Sequence, residues 1–310
     1  MRLHTILGAK GTITTQLLPV LQQHGEKIRL VSRNPTPVAG AETRAADFLN
    51  AEQTRLAVDG STIVYLLVGL EYSANVWRRD WPVIMRNVIA ACKAASAQLI
   101  FLDSLYTYGR VAGAITENTP PRPVSEKGRI LVEIEQLLLA EMNSGRLSAI
   151  IAKASDFYGP GAVEKSWSGS LVFSRLKNKQ TPQWPVNARV PRTYTYTPDI
   201  GRALYVLAQH PEAFNQTWIL PVASPTLTGQ EFSALAAKYM QGSGKVQVLP
   251  KWVFGLMGLF IPFMKEAHEM MYQDENGYVL DSTRFNQTFN FTPTPYEEGI
   301  RATAEWFLKN

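Results

Sequence analysis

Apolar residues along this chain follow two rhythms. Short, nearly continuous runs such as 61–69 (STIVYLLVG) alternate with longer stretches, such as 77–95, in which apolar positions recur at helical spacing. A parallel strand covered on both faces shows the first pattern, and a helix packed against such a sheet shows the second. Strands are predicted at 2–7, 27–31, 61–69, 98–102 and 148–152, with a short strand end near 45–48. Helices are predicted at 16–23, 51–58, 77–95 and 127–143. Repeated strand and helix with right-handed crossovers builds an α/β doubly wound parallel sheet. From Tyr158 the rhythm changes, with Gly159-Pro160-Gly161, a Trp184-Pro185 loop and threonine alternating with tyrosine from Arg192 to Pro198. Further on, 199–209 and 228–240 read as helices, 216–221 as a strand, and Thr294 as the N-cap of a final helix whose first residue is Pro295.

The opening of the chain carries the strongest candidate chemistry. The first strand runs directly into Gly8-Ala9-Lys10-Gly11-Thr12-Ile13 and a helix start. A pyrophosphate can rest on a helix N-terminus only where no side chain blocks the backbone amides, so these residues are candidates to hold a dinucleotide. The second strand ends in Ser32-Arg33, where a carboxylate would otherwise grip a ribose 2'-hydroxyl. Serine and arginine suit a 2'-phosphate instead, which points to NADP, with NAD as the other possibility. Leu67, Val68 and Gly69, closing the most apolar strand, are assigned to the same site. The predicted division is a dinucleotide-binding domain over 1–157, completed by about 188–222, and a smaller, interleaved C-terminal substrate domain over 158–187 and 223–310.

Composition narrows the partners. The 310 residues are 45% hydrophobic and 18% charged, which fits an ordinary globular protein and excludes a disordered chain. A net charge of +5 without basic blocks gives no reason to expect a nucleic acid; an anionic small molecule suffices. Cys92 is the single cysteine, so no internal disulfide or cysteine metal cluster forms, and it is expected to pack within a helix in a reducing compartment. The chain begins on a strand without signal-peptide features, which predicts a cytoplasmic location. The apolar stretch 252–264 contains Gly255, Gly258 and Pro262 and falls short of the roughly 20 residues that span a bilayer. No membrane partner is expected, and the stretch reads as a buried or lid helix, with a membrane-surface helix as the alternative. His4, His24, His210 and His268 show no metal-ligand spacing, and no Gly-x-Ser-x-Gly elbow supports a serine hydrolase.

Taken together, several segments resemble the extended short-chain dehydrogenase/reductases, the NAD-dependent epimerase/dehydratase family. They are the glycine turn, Asp47 ahead of a helix, Asn87 within the 77–95 helix, Asp103-Ser104-Leu105-Tyr106-Thr107-Tyr108-Gly109, Asp156-Phe157-Tyr158-Gly159-Pro160-Gly161, and Tyr196-Thr197-Pro198-Asp199-Ile200. The resemblance implies a Rossmann fold, with Asp47 and Phe48 flanking the adenine, Ser104 bonding the reacting substrate oxygen, and Tyr158 to Gly161 lining the approach to the substrate domain. It also implies a small polar, sugar-derived substrate and pairing of two chains through helices such as 77–95 and 127–143.

The family's proton-transfer pair, a tyrosine followed four residues later by a lysine, is absent. No tyrosine lies between Tyr108 and Tyr158; alignment on Glu133 puts Ser125 at the tyrosine and Arg129 at the lysine. Serine is a far weaker acid than phenol, and arginine cannot shuttle a proton. Thr14 replaces the third glycine of the turn, and Lys153 replaces the arginine usual at the end of the sixth strand. Ser104 lies where open parallel sheets bind ligands, with a plain turn serine as the alternative. Lys127 and Arg129 are candidates to supply positive charge, with a solvated helix start as the alternative for Lys127. Tyr106, Tyr108 and Ser125 are candidate proton donors, packing being the competing role for Tyr108. Glu266 and Glu269, one helical turn apart, form either a carboxylate pair or a solvated face. The readings left open are an NADP-dependent oxidoreductase or epimerase and a non-catalytic NADP-binding sensor or scaffold.

Overall fold

The computed structural model describes residues 2–162 and 166–310. These fall into two compact units. The first comprises the described residues of 1–103, 129–153 and 200–218. Its centre is a seven-stranded sheet in the order Gln216–Ile219, Ala149–Lys153, Gln98–Asp103, Ile63–Leu66, Leu3–Leu7, Lys27–Ser32, Glu42–Ala45. Leu3–Leu7 pairs in parallel with both Lys27–Ser32 and Ile63–Leu66, and parallel pairing continues outward to Glu42–Ala45 on one side and Ala149–Lys153 on the other. The doubly wound sheet read from the apolar runs is therefore present. Ile63–Leu66 and Ala149–Lys153 are buried at every position, which explains why their sequences carry no polar alternation.

Helices bury one stripe each on this sheet. Thr12–Gln23 turns Ile13, Leu17 and Leu21 inward; Ala74–Ala94 turns in Trp81, Ile84, Met85, Val88 and Cys92. Burial pushes the Cys92 thiol well above its ordinary pKa, so it packs as a small apolar group. The strand order reverses beside Leu3–Leu7, so the loops after Leu7, Ser32 and Leu66 leave the same sheet edge at the topological switch point, where such sheets bind nucleotides.

The second unit comprises the described residues of 104–128, 154–199 and 219–310. Residues 104–128, which the sequence reading counted with the first domain, lie here, tied by the Tyr278 hydroxyl donating to Leu105 O at 3.0 Å. Its core is aromatic: Tyr158, Phe173, Trp184, Tyr194, Tyr196, Phe232, Tyr296 and Phe307 pack together. The helix Gly229–Met240 starts on a capping box formed by Thr228 and Glu231. The final helix is Tyr296–Lys309, with Pro295 rather than Thr294 at its cap. Thr294 is drawn away because its N–H and hydroxyl both donate to the Asp199 carboxylate, at 2.7 and 2.8 Å. Three two-stranded parallel pairs, Phe157–Tyr158 with Thr195–Tyr196, Gln183–Pro185 with Gln247–Leu249, and Ala114–Ile115 with Val279–Leu280, are too short to leave a period in the sequence. Arg192, fully buried, ion-pairs with Asp156 and Asp274 and donates to Gln273 Oε1 at 2.9 Å. Burial raises the Asp274 carboxyl to about 6 against the pull of Arg192.

The stretch expected to be one buried or lid helix is two short ones, Lys251–Met257 and Pro262–His268. Gly258 and Pro262 interrupt it, and the connecting residues are exposed.

Candidate functional site

In the first unit, the turn after Leu7 is shaped first by its backbone. The Gly8 and Ala9 amides donate to Val31 O at 2.9 and 3.1 Å, and the Gly11 amide donates to Gly8 O at 2.9 Å. Gly8 has φ +118, and a Cβ there would lie 2.7 Å from Leu67 O, so the close approach of turn and neighbouring strand requires glycine. Gly11 caps the helix Thr12–Gln23 without any side-chain hydrogen bond, and the first turn holds no acidic residue. The leading amides of that helix thus have neither an intrahelical acceptor nor a side-chain cap, and the first turn carries no carboxylate to repel an anion. Thr14 does not disturb this arrangement: it is buried, and its hydroxyl donates to Gly8 O at 2.7 Å, latching the turn where a third glycine would merely make room. Lys10 is exposed at the tip of the turn.

At the end of the second strand, Ser32 Oγ is buried with no hydrogen-bond partner among the described residues. Arg33 is exposed and lies near enough to Asp80 to add to the depression of that carboxyl, which is due first to the hydrogen-bonded Arg79 guanidinium. Phe48 is buried, and its carbonyl accepts from Asn87 Nδ2 at 2.9 Å; Asp47 Oδ1 accepts from the Leu49 amide at 3.0 Å. Asn87 therefore fixes the loop expected to flank an adenine. Leu67 is buried, its amide donating to Leu7 O at 2.9 Å, while Val68 is half-buried and Gly69 exposed. A buried orphan hydroxyl, an uncapped helix start and a turn that a Cβ would fill together suit a dinucleotide phosphate.

In the second unit, Ser104 is half-buried and its Oγ accepts from the Tyr106 amide at 3.5 Å. Tyr106 is half-buried and Tyr108 buried. Gly128 lets the 104–108 loop press against the start of the helix Glu126–Asn143: a Cβ there would collide with Tyr106 O. Ser125, at the position of the missing tyrosine, is buried and accepts from the Gly128 amide at 3.0 Å, which is the bond of an N-cap serine. Lys127 is fully buried rather than solvated. Its ammonium is held by Glu266 through both carboxylate and carbonyl and by Glu269 Oε1 at 2.6 Å, while Glu269 Oε2 accepts the Glu126 amide at 2.9 Å. These contacts make this buried lysine an anchor, in place of the charge toward substrate expected from its sequence position. Glu266 and Glu269 are likewise its clasp and not a solvated face. Arg129 is exposed on the helix and belongs to the first unit. Tyr158 sits inside the aromatic core, 1% exposed, and burial raises its phenol well above the usual range. Its packing against Tyr196, Phe232 and Tyr296 leaves it in the core, not on a ligand-facing wall.

One cluster escaped the sequence reading. Lys153 and Asp103, at the carboxyl ends of adjacent strands of the first unit, are both 1% exposed at the side chain and lie 2.6 Å apart. Glu135 also contacts the Lys153 ammonium. Burial, reinforced by the Asp103 charge and opposed by Lys153, raises the Glu135 carboxyl to about 8. The signal was a charged residue closing each of two otherwise apolar strands.

Residues 4–220 match the NAD dependent epimerase/dehydratase family. Among curated proteins, dTDP-6-deoxy-L-talose 4-dehydrogenase (NAD(P)(+)) of Kitasatospora kifunensis is 25% identical over 186 residues, 54% of this chain. The alignment spans 56% of that relative's length. Among solved structures, UDP-glucuronic acid 4-epimerase from Bacillus cereus in complex with NAD is 16% identical, with 100% of this chain and 99% of that one covered and a TM-score of 0.80. The dTDP-glucose 4,6-dehydratase of Streptomyces venezuelae with NAD bound is 14% identical, with 100% and 98% covered and a TM-score of 0.82. At these identities the likeness is one of fold.

Proposed function

Since the chain belongs to the NAD-dependent epimerase/dehydratase family, we propose that it is an NADP-preferring oxidoreductase or epimerase acting on a small polar, sugar-derived substrate, with sugar nucleotides as the first class to test. The observation that carries the reading is the uncapped helix start behind the Gly8–Gly11 turn, next in the sheet to a buried Ser32 hydroxyl without a partner. Amides of the Gly8 to Ile13 segment would hold the pyrophosphate, and Ser32 with Arg33 would receive the 2'-phosphate. A nicotinamide held there supplies hydride transfer. Ser104 would orient the substrate oxygen, and Arg129 would supply positive charge. Ser125 accepts a hydrogen bond through its lone pair, so its own hydrogen is free to donate to an oxygen, but a hydroxyl of such weak acidity holds a proton in place and does not release it. A net proton would therefore come from Tyr106 or from water.

Calorimetric titration with NADP and NAD tests the cofactor half. NADP should bind more tightly, and Arg33→Ala should cut that preference at least about tenfold, equivalent to about 1.4 kcal/mol. No binding of either nucleotide would sink the proposal. A panel of UDP- and dTDP-sugars, followed by nicotinamide absorbance and product analysis, tests the catalytic half, with Ser104→Ala as the control. The engagement of Ser125 as a helix cap and of Lys127 by two glutamates favours one second reading, a cofactor-binding sensor without turnover. Tight nucleotide binding that alters self-association while every sugar nucleotide stays unchanged would select it.

A further inference from the structure

The apolar hairpin of the second unit is the largest feature that the nucleotide site leaves unused. Trp252 is 68% exposed, Leu256 53%, Leu259 76%, Phe260 82%, Ile261 42% and Phe263 47%. Elsewhere the exposed large apolar side chains are scattered along the sequence, as a soluble surface tolerates. Residues 252–264 carry no charged side chain, and Lys251 and Lys265 bound them.

The hairpin is mounted firmly. Phe254, Ala267 and Met271 are buried beneath it, with Trp167, Val186, Leu249 and Met264 packed around them. Much of its backbone is satisfied from within: the amides of Gly258, Leu259, Phe260, Ile261, Met264 and Lys265 all donate to carbonyls of the hairpin, and Pro262 has no amide to satisfy. Each donor met in this way lowers the cost of leaving water for hydrocarbon. The apolar groups come from both helices and from three consecutive residues of the connection.

The charges at its base are asymmetric. Taken together, Lys127, Arg110 and Lys251 match Glu266, Glu269 and Glu275 charge for charge. Lys265 stands exposed beside the apolar tip, its backbone against Gly258. We propose that the 251–265 hairpin docks the protein on an anionic bilayer surface. Leu256, Leu259, Phe260 and Phe263 enter one leaflet, Trp252 lies at headgroup level, and Lys265 meets the lipid phosphates. The absence of a described helix long and apolar enough to cross a membrane does not bear on a tip that enters a single leaflet. This proposal is independent of the nucleotide site.

The test is flotation of the full chain with vesicles of phosphatidylcholine alone or mixed with phosphatidylglycerol. The wild-type chain should float with the mixed vesicles, and a Leu259→Asp/Phe260→Asp variant, changed only at exposed positions, should lose at least tenfold in partitioning with an unaltered circular dichroism spectrum. Lys265→Glu should abolish the preference for anionic lipid. Quenching of tryptophan emission by brominated lipid should fall in Trp252→Phe. Failure of the wild-type chain to float, or equal flotation of the aspartate variant, overturns the proposal. Concentration-dependent self-association that the aspartate variant abolishes, without vesicle binding, overturns it in favour of a second copy as the occupant.

Discussion

Replacing Glu135 by glutamine should remove a pH dependence from the stability of this protein without costing stability near neutrality. One ammonium, Lys153, serves two carboxylates, the buried Asp103 and the largely buried Glu135, where little water reaches to screen the surplus negative charge. Burial and the Asp103 charge raise the Glu135 carboxyl from 4.5 to about 8, so between these values the native chain holds a proton that the unfolded chain has released. The sign follows directly: stability from this group is present at low pH and is lost as pH rises through the folded value. The slope approaches about 1.4 kcal/mol per pH unit for one proton, so between about pH 5 and about pH 7 the wild-type chain should lose about 2 kcal/mol from this group. Glutamine keeps an oxygen to accept from Lys153 and carries no proton to lose. Urea unfolding at a series of pH values, followed by coincident tryptophan fluorescence and circular dichroism, should give curves that match near pH 5 and separate as pH rises, glutamine being the more stable. Parallel curves across the whole range, or a glutamine variant weaker at every pH, would show that Glu135 is ionised in the native protein and that the argument from burial is wrong.

Further outcomes can be checked alongside. Gly8→Ala meets both a positive φ and the Leu67 carbonyl, a strain of about 1–3 kcal/mol, so the chain should fold while affinity for NADP falls at least about tenfold by calorimetry. Thr14→Val removes the hydroxyl that latches Gly8 O and should cost about 1 kcal/mol in urea unfolding; an unchanged midpoint would mean that the latch is idle. Lys127→Met strands Glu266 and Glu269. Because both carboxylates keep some solvent, the cost should be about 2–4 kcal/mol, below or within the range for a fully buried pair, and adding Glu266→Gln and Glu269→Gln should recover most of it.

The layered sheet was legible because burial on both faces writes itself into sequence as unbroken apolar runs, and the glycine turn because only glycine fits its backbone. What stayed hidden depended on partners distant in sequence. Lys127 reads as a solvated helix start until Glu266 and Glu269 are seen upon it. Thr14 reads as an obstruction until its hydroxyl is found on Gly8. Tyr158 carries a family motif, yet its ring is claimed by Tyr196, Phe232 and Tyr296, none adjacent to it along the chain. Thr294 looked like a cap and lost that role to a carboxylate 95 residues earlier. The exposed hairpin kept an apolar sequence that, by composition alone, resembles a core helix.

The Lys127 clasp also sets a timetable. Its ammonium meets a carboxylate 142 residues further along, which at about 5–20 residues per second of synthesis emerges roughly ten seconds or more after it. The start of the Glu126–Asn143 helix therefore cannot settle before the C-terminal segment has emerged. A chain cut after the last sheet strand would lack both carboxylates that hold Lys127, so shortened versions should be designed to end beyond residue 269 or to replace Lys127.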